Sequence, residues 1–177
     1  MILREAAPSL RQLAGWYPVV ALTGPRQAGK TTLARYVFPD KPYASLEDAD
    51  TRAFALTDPR RFLGQFPEGA ILDEVQRAPE LFSYLQTLVD ASGGMGRFIL
   101  TGSQQFGLTE SITQSLAGRV GFLHLLPFTL TETRELWAGK SLEEVLWQGF
   151  YPPPRIPRNL DTHSRRSWTT IPEQAGQ

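Results

Sequence analysis

The sequence predicts an α/β domain with a parallel sheet of five strands between helical layers. Three apolar runs, VVAL, AILD and RFILT, are nearly continuous rather than alternating with polar residues. Strands that are buried on both faces have this composition, and parallel sheets covered by helices are their usual setting. Helical patterns also alternate with the strands along the chain, which is typical of this fold class. We therefore expect a three-layer sandwich with helices on both faces of the sheet.

The expected elements follow from local patterns. Thr57 or Asp58 can cap a helix whose first position suits Pro59, and Ser141 and Glu144 have the spacing of a capping box. Strands are predicted at residues 17–23, 42–46, 69–74, 96–103 and 120–126. Helices are predicted at 3–13, where Pro8 can interrupt the pattern, at 30–38, from 59, from 79, at 111–119 and from 141.

Composition excludes several kinds of site. The 177 residues include no cysteine and only two histidines, which excludes disulfides, cysteine-ligated zinc and histidine-rich metal sites. Lys+Arg and Asp+Glu both number 18, so no bulk charge favours nucleic acid or anionic membranes. No apolar run reaches the roughly 20 residues that span a bilayer, and charges interrupt the first segment too often for a secretory signal. We expect a cytoplasmic protein with no membrane partner. The sequence has no clear signal for nucleic acid, although its balanced charge is compatible with a local basic patch.

The segment GPRQAGKT matches the phosphate-loop pattern, also called Walker A, of Gly, four residues and Gly-Lys-Thr. A chance match in a chain of this length is on the order of 1%. The segment also lies between a predicted strand and a predicted helix, as phosphate binding requires. The residues expected to surround the phosphates are Gly24, Pro25, Arg26, Gln27, Ala28, Gly29, Lys30, Thr31 and Thr32.

The chemistry of the loop explains its residue types. Gly24 and Gly29 permit backbone conformations that turn successive N–H groups inward as an anion-binding nest. Lys30 supplies a positive charge to the β- and γ-phosphates of a nucleotide, and Thr31 offers its hydroxyl to Mg²⁺.

An acidic pair follows the third predicted strand, in AILDEVQ. Asp73 comes at the carboxyl end of that strand, where open α/β sheets bind ligands. A carboxylate there can hold Mg²⁺ directly or through water, as in a Walker B segment. Glu74 can act as a general base on a water that attacks the γ-phosphate. Without the phosphate loop, two solvated acids would be the simpler interpretation.

Other polar residues have less specific signals. Thr101, Ser103 and Gln104 end the fourth strand, where polar side chains can sense the γ-phosphate or orient the water. The alternative is ordinary turn chemistry around Gly102, and we favour Ser103 and Gln104 as sensors. Arg119 precedes the fifth strand, as either an arginine donated to a neighbouring subunit's nucleotide or a structural residue. We interpret His124 as a core histidine, and Trp137 and Trp147 as packing residues.

These motifs together resemble a family, the prokaryotic AAA-superfamily ATPases that usually carry a second, C-terminal domain of uncharacterised function. The resemblance rests on LTGPRQAGKTTLAR, YASLED, DPRRFL, ILDEVQRAPELFSYLQTLVD, RFILTGSQQF, SLAGRVGFLHLLPFTLTE and QGFYP, over residues 10–161. It implies a P-loop NTPase fold with sheet order 5-1-4-3-2, and ATP and Mg²⁺ as ligands. It also implies that Arg119 is an arginine finger or sensor.

The end of the sequence departs from the family pattern. The resemblance predicts an aromatic-rich helix and a further domain after QGFYP, whereas this chain has PPRIPRNLD and then THSRRSWTTIPEQAGQ, which does not resemble that helix. We expect an AAA-type domain at residues 1–148 and a proline-rich linker with a disordered tail at 149–177. We also expect that the chain is truncated after the AAA domain.

Three functions remain open from the sequence. The first is Mg-dependent ATP hydrolysis coupled to a conformational change or to regulation of an unknown protein partner, with a homo-oligomer supplying Arg119 in trans. The second is a nucleotide-binding switch with negligible turnover, because the C-terminal domain is missing. The third is a small-molecule kinase, which the adjacent Asp73 and Glu74 and the absence of an arginine-rich lid make less suitable.

Overall fold

The computed structural model describes residues 2–103, 108–135, 137–141, 143–145 and 149–150. Strands and helices alternate along most of this length. The strands are β1 (Val19–Gly24), β2 (Tyr43–Ser45), β3 (Ile71–Asp73), β4 (Phe98–Ser103) and β5 (Val120–His124). The helices are α1 (Ala6–Trp16), α2 (Lys30–Val37), α3 (Ala49–Thr57), α4 (Pro59–Gly64), α5 (Leu81–Ser92) and α6 (Leu108–Ser115), and a 3₁₀ turn spans Val75–Arg77.

All five strands are parallel and their order across the sheet is β2-β3-β4-β1-β5. This order, read from the other edge, is the expected 5-1-4-3-2. β1 lies between β4 and β5 and is buried at every residue, which explains the uninterrupted apolar run VVAL. The α/β prediction and the predicted sheet order are therefore confirmed.

Two apolar cores lie on opposite faces of the sheet. Alternate residues of β1 face opposite sides, so that Val19 and Ala21 belong to one core and Val20 and Leu22 to the other. The first core includes buried residues of α3, α4, α5 and α6. The second includes buried residues of α1 and α2, among them Leu10 and Leu33. The expected three layers are present, with helices on both faces.

Helix α1 begins and ends three residues later than the sequence predicted, and Pro8 does not interrupt it. Pro8 is the third residue of the helix. Amide groups in the first turn have no partner within a helix, so a proline costs little there.

Helix α3 was not predicted from the sequence, because Ala55 is its one fully buried residue and its apolar positions show little periodicity. Its N-cap is Asp48, whose side chain accepts a hydrogen bond from the amide of Thr51 at 2.8 Å. The predicted caps are confirmed at two later positions. Asp58 accepts from the amide of Arg61 at 3.0 Å, and Ser141 and Glu144 form both hydrogen bonds of a capping box.

The interpretation of His124 as a core histidine is wrong. β5 is an edge strand, and His124 is exposed at its end, with Nδ1 3.3 Å from the hydroxyl of Thr23. The predicted segment 149–177 is described at Gly149 and Phe150, and the rest of it lies outside the described residues, as does Trp147. Within the described part of the chain, no helix is both long and apolar enough to cross a membrane.

Gly69 provides a test of how closely β3 and β4 approach. Its φ of 88° is unfavourable for side chains, and an added Cβ would overlap the carbonyl oxygen of Arg97. We expect Gly69→Ala to lower the free energy of unfolding by about 2–4 kcal/mol. Urea denaturation measures this loss.

Gly93→Ala is the matched control, because Gly93 also has a positive φ of 65° but an added Cβ would meet no atom within 4 Å. We expect this control to cost about 1 kcal/mol, from backbone strain alone. Equal losses in the two variants would contradict the close approach at Gly69.

Candidate nucleotide-binding site

The predicted phosphate-binding residues meet at the carboxyl edge of the sheet. β1 ends at Gly24, β3 at Asp73 and β4 at Ser103, and these three strands are neighbours. Gly24 is paired directly with Ser103 in the register of β1 and β4. Open α/β sheets bind ligands beyond this edge, so the sequence prediction and the fold agree on the place.

The loop between β1 and α2 has the backbone of an anion-binding nest. Gly24, Gln27 and Gly29 have φ values of 146°, 62° and 88°. Only glycine fits at Gly24, because an added Cβ would overlap the carbonyl oxygen of Leu125. Helix α2 begins at Lys30 directly after Gly29, so its N-terminus faces the loop. Amide N–H groups and the helix dipole together favour a phosphate here.

Lys30 is buried in this loop. Its ammonium donates to the carbonyl oxygens of Gly24 at 3.2 Å and Pro25 at 2.8 Å. Burial lowers the pKa of Lys30. The negative charges of Glu74 and Asp73 raise it and the positive charge of Arg26 lowers it, so that the pKa is lowered overall. A desolvated ammonium favours an anionic partner more strongly than a solvated one does.

Asp73 is the centre of a buried hydrogen-bond network. Its Oδ1 accepts from the hydroxyl of Thr31 at 2.7 Å and from the hydroxyl of Thr101, and its Oδ2 accepts from the hydroxyl of Tyr43 at 2.8 Å. Burial and the bond to Asp73 raise the pKa of Tyr43. The guanidinium of Arg35 lies 5.0 Å from the centre of the Tyr43 ring. The network joins the first turn of α2 to three strands.

The donor set fits Mg²⁺. The hydroxyl of Thr31 and the carboxylate of Asp73 are hard oxygen ligands, which Mg²⁺ prefers, and they already lie within hydrogen-bond distance of each other. Across the described ranges, no three histidine, aspartate or glutamate residues converge as a metal site. Mg²⁺ is commonly held by one or two side chains together with substrate phosphates, so this sparse donor set is suitable.

Glu74 has an unusual backbone conformation. Its φ of 56° and ψ of 45° are left-handed, which is uncommon for residues other than glycine, and a 3₁₀ turn follows it. The turn brings the side-chain amide of Gln76 back to donate to the carboxylate of Glu74. Strained backbone of this kind occurs often at functional sites.

Ser103 and Gln104 were predicted as sensors of the γ-phosphate. The hydroxyl of Ser103 is buried beside the phosphate loop and has no hydrogen-bond partner among the described residues. A buried hydroxyl without a partner is costly, so a ligand oxygen would be favourable there. Gln104 lies outside the described residues.

Arg119 lies at the amino ends of the strands, whereas the phosphate loop lies at their carboxyl ends. It precedes Val120, which pairs with Val19 at the beginning of β1, about 16 Å along the strand from Gly24. Its guanidinium pairs with Asp90, with Nη2 2.8 Å from Oδ2, and this hydrogen bond to Asp90 raises the pKa of Arg119. Arg119 therefore does not reach the phosphate loop of its own chain.

Two residues of the site were missed from the sequence. Tyr43 contacts Asp73 from β2, and Arg4 donates to the carbonyl oxygen of Ala28 in the phosphate loop at 2.7 Å. Tyr43 begins the YASLED segment, but that segment does not indicate a contact with Asp73, and Arg4 lies outside every segment on which the resemblance rests. No local signal in the sequence identifies them.

A model of the AAA domain matches residues 17–134, which is more than half of the chain and includes every predicted site residue. The chain belongs to the AAA domain family. The family and the fold support nucleotide binding at the phosphate loop, and they confirm the resemblance drawn from the motifs.

Two curated relatives are uncharacterized proteins of mycobacteria, Rv2008c of Mycobacterium tuberculosis and Mb2031c of Mycobacterium bovis. Each is 39% identical over 152 residues, which is 85% of this chain and 33% of the relative. The chain therefore spans about a third of the length of the relatives that it matches.

Solved structures with low sequence identity share the fold. DnaA of Aquifex aeolicus bound to AMPPCP has a TM-score of 0.52 at 15% identity, over 80% of this chain and 54% of that chain. The Walker-type ATPase PABY2304 of Pyrococcus abyssi has a TM-score of 0.52 at 20% identity, over 78% and 57%. The Aeropyrum pernix ORC1 protein in complex with DNA has 0.52 at 18%, over 86% and 52%. At this low sequence identity, the similarity concerns the fold alone.

The pKa of Lys30 predicts how nucleotide affinity depends on pH. Phosphate binds the ammonium and not the neutral amine, and burial lowers the pKa at which the amine forms. We expect the affinity for ATP to fall as the pH rises through this lowered pKa, at a lower pH than for an exposed lysine. Calorimetric titration between neutral and alkaline pH measures the change.

Lys30→Arg is the control, because a guanidinium stays charged throughout this range. We expect this variant to bind more weakly at neutral pH and to show little further loss at alkaline pH. The same decline in both proteins would show that Lys30 does not cause it.

Proposed function

We propose that this protein binds ATP with Mg²⁺ and hydrolyses it to ADP and phosphate. The observation that carries the proposal is the hydrogen bond of Thr31 to Asp73, which joins the phosphate loop to the acidic pair. Glu74 follows Asp73 directly, so a base and a phosphate cradle lie at the same edge of the sheet. In this proposal hydrolysis drives a conformational change or regulates a protein partner.

Each residue has a separate part in the reaction. The loop amides and Lys30 bind the β- and γ-phosphates, and Thr31 and Asp73 hold the metal ion, which supplies charge neutralisation at the phosphates when bound. Glu74 accepts a proton from the water whose oxygen attacks the γ-phosphorus while the bond to the β-phosphate oxygen breaks. The buried hydroxyl of Ser103 donates to a γ-phosphate oxygen.

A second candidate function is a nucleotide-binding switch with negligible turnover. The placement of Arg119 favours it for an isolated chain, because a single copy does not bring an arginine from this position to its own phosphates. In the hydrolytic proposal a neighbouring copy supplies Arg119 in trans, which is worth roughly 10³–10⁵-fold in turnover where arginine fingers are known. Turnover that rises steeply with protein concentration separates the two functions.

Glu74→Gln tests the general base. We expect turnover of ATP to fall by roughly 10²–10⁴-fold, because the amide cannot accept the proton of the attacking water. Affinity for ATP should stay within a few-fold of the wild type. Steady-state phosphate release and calorimetric titration measure the two quantities.

The matched control is Glu80→Gln, the same chemical change at an exposed position before α5. It should leave turnover unchanged. If Glu74→Gln hydrolyses ATP as fast as this control, Glu74 is not the base.

Mixing two inactive variants tests the trans role of Arg119. Arg119→Ala keeps Glu74, and Glu74→Gln keeps Arg119, so a shared site between the two can contain both groups. We expect each variant alone to be nearly inactive and an equimolar mixture to regain turnover that increases with total protein concentration.

Asp90→Asn is the control for the structural effect of Arg119→Ala, because it removes the same ion pair and keeps the guanidinium. It should retain wild-type turnover. A mixture no more active than its separate components, or wild-type turnover by Arg119→Ala alone, would exclude the trans arginine.

A further inference from the structure

Arg4 is a buried arginine that joins three distant parts of the chain. From the segment before α1, its Nη1 donates to the carbonyl oxygen of Ala28 at 2.7 Å, and its Nη2 to that of Leu126 at 2.7 Å. Its Nε pairs with Glu132 Oε1 at 3.0 Å. The side chains of Arg4 and Glu132 are 9% and 2% exposed, so this is a buried ion pair.

The contact with Ala28 bears on phosphate binding through the geometry of one peptide unit. The carbonyl of Ala28 and the amide N–H of Gly29 belong to the same plane and, in a trans peptide, point in opposite directions. A donor fixed on the carbonyl therefore fixes the direction of the Gly29 N–H, which belongs to the nest. Gly29 has a φ of 88° and no Cβ to restrict it, so the loop itself restrains this peptide plane weakly.

Glu132 connects this arginine to the segment that follows β5, residues 126–135. Its carboxylate also accepts from the amides of Glu5 at 2.7 Å and Thr129 at 2.9 Å. Burial would raise the pKa of Glu132, but the hydrogen bonds from Thr129, Glu5 and Arg4 hold it below its ordinary value. The hydrogen bonds of Glu132 therefore favour its carboxylate form, as a buried ion pair requires.

The same segment leads to the last described residues. The guanidinium of Arg4 lies 4.6 Å from the centre of the Phe128 ring, and the amide of Phe128 donates to the carbonyl oxygen of Phe150 at 2.8 Å. A continuous path of contacts thus runs from Ala28 in the phosphate loop through Arg4 and Phe128 to Phe150.

We propose that Arg4 is a positioning residue of the phosphate loop, and that the Arg4–Glu132 pair links nucleotide binding to the segment after β5. The inference rests on the proposed binding of ATP but not on its hydrolysis. Arg4 acts through the peptide between Ala28 and Gly29 and does not touch the nucleotide. Coupling between two sites is reciprocal. If bound nucleotide stabilises the segment after β5 by a given factor, ordering of that segment raises the affinity for nucleotide by the same factor.

The test uses the full chain with Arg4→Met and Glu132→Met together. Removing only one partner would leave a buried charge unpaired, whereas replacing both with apolar side chains of similar length is far better tolerated. The control is Arg11→Met, the same change at an exposed arginine of α1. The probe is a β,γ-methylene analogue of ATP with Mg²⁺, which separates binding from turnover.

We expect the double variant to bind the analogue about tenfold more weakly than the wild type, and Arg11→Met to stay within twofold. In the wild type the analogue should slow hydrogen exchange at residues 126–135 by a similar factor, and in the double variant it should have no effect there. Both readouts are taken well below the unfolding midpoint of each variant, so a purely structural role of Arg4 would not change them.

The possible outcomes are distinct. If the double variant binds the analogue within twofold of the wild type, Arg4 does not position the phosphate loop, whereas the proposed binding of ATP is unaffected. Unchanged exchange at 126–135 in the wild type would overturn the link to that segment. A wild type that does not bind the analogue would overturn the proposed function and this inference together. If the double variant does not fold, Arg4→Lys replaces it, because it keeps the charge beside Glu132 but lacks the planar fork, and wild-type affinity in Arg4→Lys would overturn the inference.

Discussion

The carboxylate of Asp73 joins four elements at the carboxyl edge of the sheet. Hydroxyl groups from α2, β2 and β4 all donate to this side chain at the end of β3. Because a buried carboxylate without partners is strongly destabilising, the elements are held where every hydroxyl reaches it. The phosphate loop, the acidic pair and the end of β4 therefore keep a fixed spacing, on which any reaction at this edge depends.

A parallel sheet also places residues that follow strands and residues that precede strands at opposite ends of the strands. All five strands end at the same edge, so residues that follow strands, such as Lys30, Glu74 and Ser103, lie together. Residues that precede strands, such as Arg119, lie at the amino ends of the strands. In the proposed hydrolysis, Arg119 would therefore come from a neighbouring chain. The N-terminal segment is different, because Arg4 reaches the phosphate loop from outside the sheet.

Most of the fold and most of the candidate site could be predicted because their signals are local. The phosphate loop combines a fixed spacing with a strand before it and a helix after it, and Asp73 ends an apolar run. Position within the sheet is not a local property. The resemblance implied an edge location for β5, but the apolar run around His124 was interpreted locally, and His124 was wrongly assigned to the core. Helix α3 was missed because most of its residues are exposed and leave no periodic apolar pattern.

The α/β class, the phosphate loop and the acidic pair could be predicted from short stretches of sequence, since each depends on neighbouring residues that nucleate one strand, turn or helix. Which side chains surround that loop depends instead on tertiary packing. Arg4 and Glu132 are 128 residues apart, and Tyr43 and Asp73 are 30 apart. Such contacts depend on how the whole chain packs, and no short pattern records them. The distance of Arg119 from its own phosphate loop follows from the same packing.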